Sequence, residues 1–156
     1  IGSADQRPGV GLIEVYDLSS PVAGQKISNL SIRATAGVDA DTLIVGVVVQ
    51  GTAPKRMLIR AAGPALAGFG VSGVLARPQL AVFSGSTELV RNAGWSAGAD
   101  GPALTQAATA VGAFAFAAGS LDAALIITLA PGNYTAQVSG TDGTTGVALV
   151  EAYELP

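Results

Sequence analysis

The chain has 156 residues, of which 49% are hydrophobic and only 12% charged, and its formal net charge is −3. It contains no cysteine and no histidine, which excludes disulfides, thiolate metal sites and histidine-dependent acid–base catalysis. Its eight basic residues are scattered, so we expect no nucleic-acid partner. Because cysteine and histidine are missing, we also expect no catalytic activity, no cofactor and no metal ion.

Short apolar runs separated by turn residues predict nine strands along the chain. They are residues 10–18, 27–35, 42–51, 56–61, 79–84, 88–92, 123–129, 134–139 and 147–155. One short helix is predicted over residues 102–111, with Pro102 near its start and Gly112 after its end. This order predicts an all-β fold, a two-layer β-sandwich of the jelly-roll type with one short helix.

Two apolar stretches require separate interpretation. Residues 43–49 are apolar on both faces, which predicts a central, fully buried strand in which Gly46 lets a neighbour pack closely. Residues 101–121 carry no charge, but Pro and Gly interrupt them and they are too weakly apolar for a membrane helix. We therefore expect no membrane insertion.

A repeated strand is the most informative feature of the sequence. Residues 9–18 (GVGLIEVYDL) are restated as residues 146–155 (GVALVEAYEL), with six of ten positions identical and conservative replacements at the other four. Convergence of two unrelated strands is the alternative, because both are rich in residues that favour sheets. We interpret the chain as one complete module over residues 19–156, preceded by a strand or extension over residues 1–18 that pairs with a neighbour.

The chain resembles a repeat module of exported bacterial proteins, which often occurs in tandem in large secreted or surface proteins. The residues that carry this resemblance are 30–34, 43–51, 55–66, 77–80, 92–95, 122–125 and 129–140. The second half is also loosely similar to the bacterial pre-peptidase C-terminal domain, a β-sandwich attached to secreted enzymes. The resemblance implies a bacterial extracellular or cell-surface location. Calcium, which such domains can bind, is not expected here, because Ala93 and Gly94 stand where acidic residues are wanted.

Two glycine-rich motifs match patterns of enzymes without the context that those enzymes need. Residues 94–98 (GWSAG) spell a nucleophile elbow, but Ser96 has no histidine to activate it. Residues 68–73 (GFGVSG) spell a dinucleotide fingerprint, yet they follow no strand of a βαβ unit. We expect a turn around a packed tryptophan in the first case and a loop between sheets in the second.

Charged residues offer three further candidates. Asp39 and Asp41, joined by Asp142 or Asp100, form either a cation site or ordinary turns. Lys55, Arg56 and Arg60 either dock an acidic polymer or form a solvated strand end. A carboxylate on an apolar strand is costly unless paired, so Glu14 and Glu151 either pair with an arginine, Arg33 or Arg60, or lie at exposed strand ends.

The repeated strand and the lack of catalytic residues favour a structural role. We expect a subunit of an extracellular fibre or surface array that assembles head to tail with copies of itself or with adjacent repeats. The predicted self-assembly residues are Val10, Leu12, Ile13, Val15, Tyr16 and Leu18. The alternative is an accessory module of a secreted bacterial protein that binds a polysaccharide or a protein surface.

Overall fold

A computed structural model of the protein describes residues 12–15 and 27–156. Within this part the chain forms eight strands, one α-helix and three short 3-10 helices. The strands are β1 (Asn29–Ala36), β2 (Leu43–Val49), β3 (Lys55–Ala62), β4 (Pro78–Ser84), β5 (Thr87–Asn92), β6 (Ala123–Leu129), β7 (Gly132–Gly140) and β8 (Gly146–Glu154). The helix α1 is Gly101–Ala110, and the 3-10 helices are Asp39–Asp41, Pro64–Phe69 and Thr141–Gly143.

The strands form two antiparallel four-stranded sheets that pack face to face. Sheet A has the order β1-β8-β3-β6, and sheet B has the order β2-β7-β4-β5. The pairs β1–β8, β2–β7 and β3–β6 are nested around the β4–β5 hairpin, as in a long antiparallel ribbon folded over on itself. Eight strands in two such sheets make a jelly roll. The predicted all-β, two-layer sandwich with one short helix is confirmed.

The main core lies between the sheets and is built by alternation along each strand. On β8, for example, the side chains of Ala148, Val150 and Ala152 face sheet B and are buried. Successive strand residues point to opposite faces, so each strand contributes every second side chain. The other buried members of this core are Ala36, Val45, Val49, Met57, Ile59, Ala61, Leu75, Leu80, Val82, Ala123, Leu125, Leu129, Ala136 and Val138.

A second apolar layer covers the outer face of sheet A. Helix α1 packs against β3 and β6, and a second buried cluster forms beneath it. Trp95 belongs to this cluster, which confirms the prediction that it is a core residue. The other buried members are Leu58, Leu104, Ala107, Ala124, Tyr153 and Leu155. Much of β3 and β8 is therefore buried on both faces.

The prediction that Leu43–Val49 is a central, fully buried strand is wrong. β2 is an edge strand of sheet B, and among the described residues it pairs with β7 alone. Val45 and Val49 are buried, but Ile44 is 54% exposed and Val48 is 62% exposed. Local pattern cannot separate the two cases, because a buried strand and an apolar edge strand both carry apolar residues on both faces.

The other predicted elements agree closely with the structure. Eight of the nine predicted strands correspond to β1 to β8 with ends shifted by at most two residues, and the predicted helix is shifted by one. The ninth strand, residues 10–18, lies outside the described residues except for positions 12–15. Those four residues are exposed and belong to no strand. The division of the chain after residue 18 stays a prediction.

The start of β8 depends on a close approach that excludes a side chain, and this yields a test. A Cβ on Gly146 would lie 2.6 Å from the backbone nitrogen of Leu75, which donates a hydrogen bond to the carbonyl oxygen of Val147 at 2.8 Å. We expect Gly146→Ala to lower the free energy of unfolding by about 1–3 kcal/mol, measured by chemical denaturation.

Gly46→Ala is the matched control, because a Cβ on that strand glycine meets nothing within 4 Å. It should leave stability unchanged or raise it by about 0.5 kcal/mol, since alanine loses less conformational freedom on folding. Equal stability of the two variants would contradict the argument.

Candidate functional site

Arg60 and Glu151 form an ion pair under the second layer. They lie opposite each other on β3 and β8, and only 1% of Arg60 and 5% of Glu151 are exposed. Arg60 Nε lies 3.5 Å from Glu151 Oε2, and the Tyr153 hydroxyl donates a hydrogen bond to Glu151 Oε1 at 2.7 Å. Of the two arginines proposed as partners of Glu151, the structure therefore selects Arg60. Arg33 is exposed on β1.

Two phenylalanine rings cover the Arg60 guanidinium. Its central carbon lies 3.9 Å from the ring centroid of Phe116 and 4.5 Å from that of Phe114. The two terminal nitrogens make no hydrogen bond within the described part of the chain. The ring faces supply attraction where hydrogen bonds are missing, because a cation over an aromatic face is stabilised by about 0.5–2 kcal/mol. Burial lowers the pKa of Arg60, and the Glu151 carboxylate opposes that shift.

This cluster is suited to holding elements together rather than to reacting with a ligand. Burial and the hydrogen bond to Glu151 raise the pKa of Tyr153 to about 12. The Glu151 carboxylate is held by a phenol and a guanidinium and is shielded from solvent. Through Arg60, the cluster therefore links β3, β8 and the segment around residues 114–116. A cavity of about 60 Å³ beside Arg60 is lined mainly by apolar side chains of α1, β3 and β6.

A second buried carboxylate, Asp122, was not identified from the sequence. Its Oδ1 accepts hydrogen bonds from the backbone nitrogens of Gly63 at 2.7 Å and Ala65 at 3.2 Å. Its Oδ2 accepts one from the Ser120 hydroxyl at 2.7 Å, and Trp95 Nε1 donates to that hydroxyl at 3.1 Å. Asp122 thus joins the loop after β3 to the second layer. The sequence signal that could have identified Asp122 is its position directly before the apolar strand β6.

The faces of β8 give the repeated strand a structural meaning. The four positions that differ between residues 9–18 and 146–155 correspond to Ala148, Val150, Ala152 and Glu154. The first three belong to the main core between the sheets. The identical positions are Gly146, at its close approach to Leu75, and the outward-facing residues Val147, Leu149, Glu151, Tyr153 and Leu155. The repeat therefore preserves the face that contacts the second layer and varies the face that fills the main core.

The predicted self-assembly residues lie mostly outside the described part. Leu12, Ile13 and Val15 are described; all three are exposed. Val10, Tyr16 and Leu18 lie outside the described residues. Their role in assembly stays a prediction.

A groove on the outer face of sheet A carries an exposed aromatic side chain. Phe69 is 64% exposed, and its ring meets that of Phe114 edge to face with centroids 5.0 Å apart. The groove has a volume of about 510 Å³. Its lining residues are Ser31, Arg33, Leu66, Phe69, Val71, Phe114 and Leu149. This exposed ring was not identified from the sequence, where residues 68–73 were interpreted as a loop between sheets.

Ser96 and the acidic candidates lie in turns. The Ser96 hydroxyl accepts a hydrogen bond from the backbone nitrogen of Gly119. Asp39 and Asp41 form an exposed 3-10 turn, and Asp142 pairs with Arg77 at 3.0 Å in another. Among residues 12–15 and 27–156, no three acidic side chains come together in a way that could hold a metal ion.

The three basic candidates do not form a single patch. Lys55 pairs with Glu154 at 2.9 Å, Arg56 is exposed, and Arg60 is buried. The alternative interpretation, a strand end, fits Lys55 and Arg56, which are the first two residues of β3. The hypothesis that all three residues together dock an acidic polymer is wrong, because Arg60 is buried.

Comparison with models of known protein families, with curated proteins and with solved structures finds no match. The resemblance to a repeat module of exported bacterial proteins therefore stays a prediction. In the described part of the chain, no helix is long and apolar enough to cross a membrane.

The Tyr153 phenol makes the cluster sensitive to alkaline pH. Its pKa is about 12 in the folded protein against an ordinary value of 10. Below pH 10 the phenol is protonated in both states, whereas between pH 10 and 12 it ionises in the unfolded chain alone, so stability falls across that window. We expect Tyr153→Phe to be about 1–3 kcal/mol less stable at pH 7, because it loses a hydrogen bond to a buried carboxylate, and to decline less between pH 10 and 12.

Urea unfolding at a series of pH values measures both effects. Tyr134→Phe is the control, because its hydroxyl donates to the backbone oxygen of Ala130 at an exposed turn. It should retain the wild-type decline. An equally steep decline in Tyr153→Phe would contradict the assignment.

Proposed function

We propose that the protein is a structural subunit of an extracellular fibre or surface array of a bacterium, in which sandwich modules join head to tail by strand and domain contacts. The observation that carries the proposal is the pattern of identity between residues 9–18 and β8. The retained positions are the glycine at the close approach to Leu75 and the residues of the outward face, of which Tyr153 and Leu155 belong to the second buried cluster. Residues 9–18 are therefore suited to pair with strands of a neighbouring module, as β8 pairs with β1 and β3 within this one.

The β8 position of this module is already filled. β8 lies between β1 and β3 and pairs with both. The copy is also poorly matched to this core, with Ile13 for Val150, Val15 for Ala152 and Gly11 for Ala148. Overpacking a core costs typically about 1–3 kcal/mol. These facts favour pairing of residues 9–18 with a neighbouring subunit or adjacent repeat, outside the β8 position of an identical module.

Strand contact alone does not make a durable assembly. Burial of the six predicted self-assembly side chains contributes on the order of 10 kcal/mol. Ordering ten residues costs about 1–2 kcal/mol each, which is a similar total. Additional contact between domains, or covalent continuity between modules, is therefore part of the proposal.

Deleting residues 1–18 tests the proposal. The remaining chain keeps the eight strands and two cores of the described residues, so we expect a thermal unfolding midpoint close to that of the full chain. It should lose head-to-tail assembly, because the strand that joins it to a neighbour is gone. Sedimentation velocity and negative-stain microscopy measure assembly, and circular dichroism measures folding.

Deletion of residues 1–8 is the matched control, because it removes the segment before the repeated strand and leaves that strand intact. This shorter deletion should assemble like the full chain. Normal fibres from the longer deletion would refute the proposal. If the longer deletion unfolds, the strand belongs to its own core and the proposal also fails.

The groove around Phe69 favours a second candidate function, an accessory module that binds a polysaccharide. The exposed ring is held by Phe114, and the exposed Arg33 lines the same groove. An aromatic face beside a cation is suited to a sugar ring that carries a carboxylate.

Affinity electrophoresis in gels containing an acidic or a neutral polysaccharide tests this candidate. We expect Phe69→Ala to weaken retardation by the acidic polymer about tenfold, equivalent to about 1.4 kcal/mol. Leu89→Ala, which truncates an exposed apolar residue of β5, should bind like the wild type. Unretarded migration of the wild type in both gels would exclude this function.

A further inference from the structure

The four edges of the two sheets are protected very differently. β1 presents the exposed Arg33, and β5 presents the ion pair of Glu88 and Arg91. The edge of β6 is already engaged, since the backbone nitrogen of Ala124 donates to Asn92 Oδ1 at 3.1 Å and α1 packs against this strand. Charge, cover and irregularity are the usual means by which edge strands avoid pairing with other chains. β2 is the exception among the described strands.

β2 combines several properties of a strand that pairs with another chain. Its sequence, LIVGVVV, contains no charge and no proline. It pairs with β7 over seven consecutive positions without a register shift, so the edge is regular. Ile44 and Val48 expose apolar side chains on its outer face. An edge strand presents a row of backbone donors and acceptors to any strand of matching length.

We propose that β2 pairs antiparallel with β2 of a second copy, around a two-fold axis through Gly46, and that this contact joins the two B sheets into one. The strand is self-complementary about that glycine: Leu43 lies opposite Val49 of the second copy, Ile44 opposite Val48, and Val45 opposite Val47. A two-fold contact places each edge against a copy of itself, so an edge with a net charge faces the same net charge and is repelled. β2 has no charge to repel.

Gly46 supports this partner independently. A Cβ at this position meets nothing within 4 Å, and its backbone is not in the left-handed region that favours glycine. Glycine in a strand interior is less favourable than alanine, because it loses more conformational freedom on folding. Nothing within the described module requires that cost. At the proposed two-fold axis, Gly46 lies opposite Gly46 of the second copy, so no side chains meet there between the flanking pairs of Ile44 and Val48.

The inference rests on the proposed function in that a self-associating module supplies the second copy. It adds a lateral contact that does not use residues 1–18. A two-fold contact closes after two copies, whereas a head-to-tail contact continues. Together they generate paired fibres or a sheet-like array from one type of module.

A single engineered cysteine tests the axis, because the chain contains none. Residues directly opposite in an antiparallel pair have Cα atoms about 4.5–5.5 Å apart, within the range of a disulfide. The full chain carrying Gly46→Cys should therefore form a disulfide-linked dimer under mild oxidation on a non-reducing gel. Val48→Cys is the control on the same strand and face. In the proposed register, position 48 of one copy lies four residues, about 14 Å, from position 48 of the other copy, so this variant should not cross-link.

A charge on the edge tests the contact itself. Adding Val48→Lys to Gly46→Cys should reduce dimer formation at least about tenfold, because each lysine is then placed in an apolar contact. Adding Leu89→Lys instead, on the outer edge strand β5 of the same sheet, should leave it unchanged. The inference is overturned if Gly46→Cys stays monomeric, if Val48→Cys cross-links equally well, or if both lysines act alike.

These outcomes separate the two proposals. If the deletion of residues 1–18 abolishes fibres while Gly46→Cys stays monomeric, the lateral contact fails and head-to-tail assembly stands. If the deletion leaves fibres intact while Gly46→Cys cross-links as expected, the lateral contact stands and the role of the repeated strand fails.

Discussion

The burial of one guanidinium determines much of this structure. Arg60 lies in the middle of sheet A on the face away from the main core, where an isolated charge would be very costly. Glu151 on the next strand neutralises it, Tyr153 fixes that carboxylate, and two phenylalanine rings replace water over its plane. The ion pair is acceptable only beneath a complete cover. The segment around residues 95–116 supplies that cover, so the second layer and the cluster depend on each other.

This dependence explains why the repeated strand keeps Glu and Tyr in register. In β8, Glu151 and Tyr153 contact Arg60 and each other beneath the second layer, whereas the inward-facing alanines and valine fill the main core. A strand that merely favoured sheets would need neither the glutamate nor the tyrosine. Retention of both, together with the glycine that passes Leu75, supports the proposal that residues 9–18 act as a strand of a sandwich module. The different inward face is the reason why the proposal places residues 9–18 outside the core of this module.

The strands, the helix and the sandwich fold could be predicted from the sequence, because alternation and turn residues are local signals. The position of β2 within its sheet could not be predicted. Edge or centre depends on the nested pairing of strands far apart in the chain, and the apolar pattern of LIVGVVV is the same in both cases. The pairing of Glu151 was expected from the cost of a carboxylate on an apolar strand, but two arginines remained possible. Register decided between them, since Arg60 faces Glu151 directly and Arg33 faces Leu149. Asp122 was missed because its partners are mostly backbone groups of distant loops.

Pairing through the unprotected edge strand β2 is a weak contact between two single modules, and this weakness is consistent with an array. The proposed pairing brings together six apolar cross-strand pairs, at about 0.2–1 kcal/mol each, and a row of backbone hydrogen bonds worth about 0.5–1.5 kcal/mol each. Association costs about 4–15 kcal/mol in lost freedom, so one pair of edges gives at most a transient dimer. Modules already joined head to tail present many such edges at high effective concentration, and the association cost is then met once for the whole row. In the proposed array, pairing through β2 is therefore transient between single modules, where a disulfide at position 46 can trap it, and becomes durable between modules that are joined head to tail.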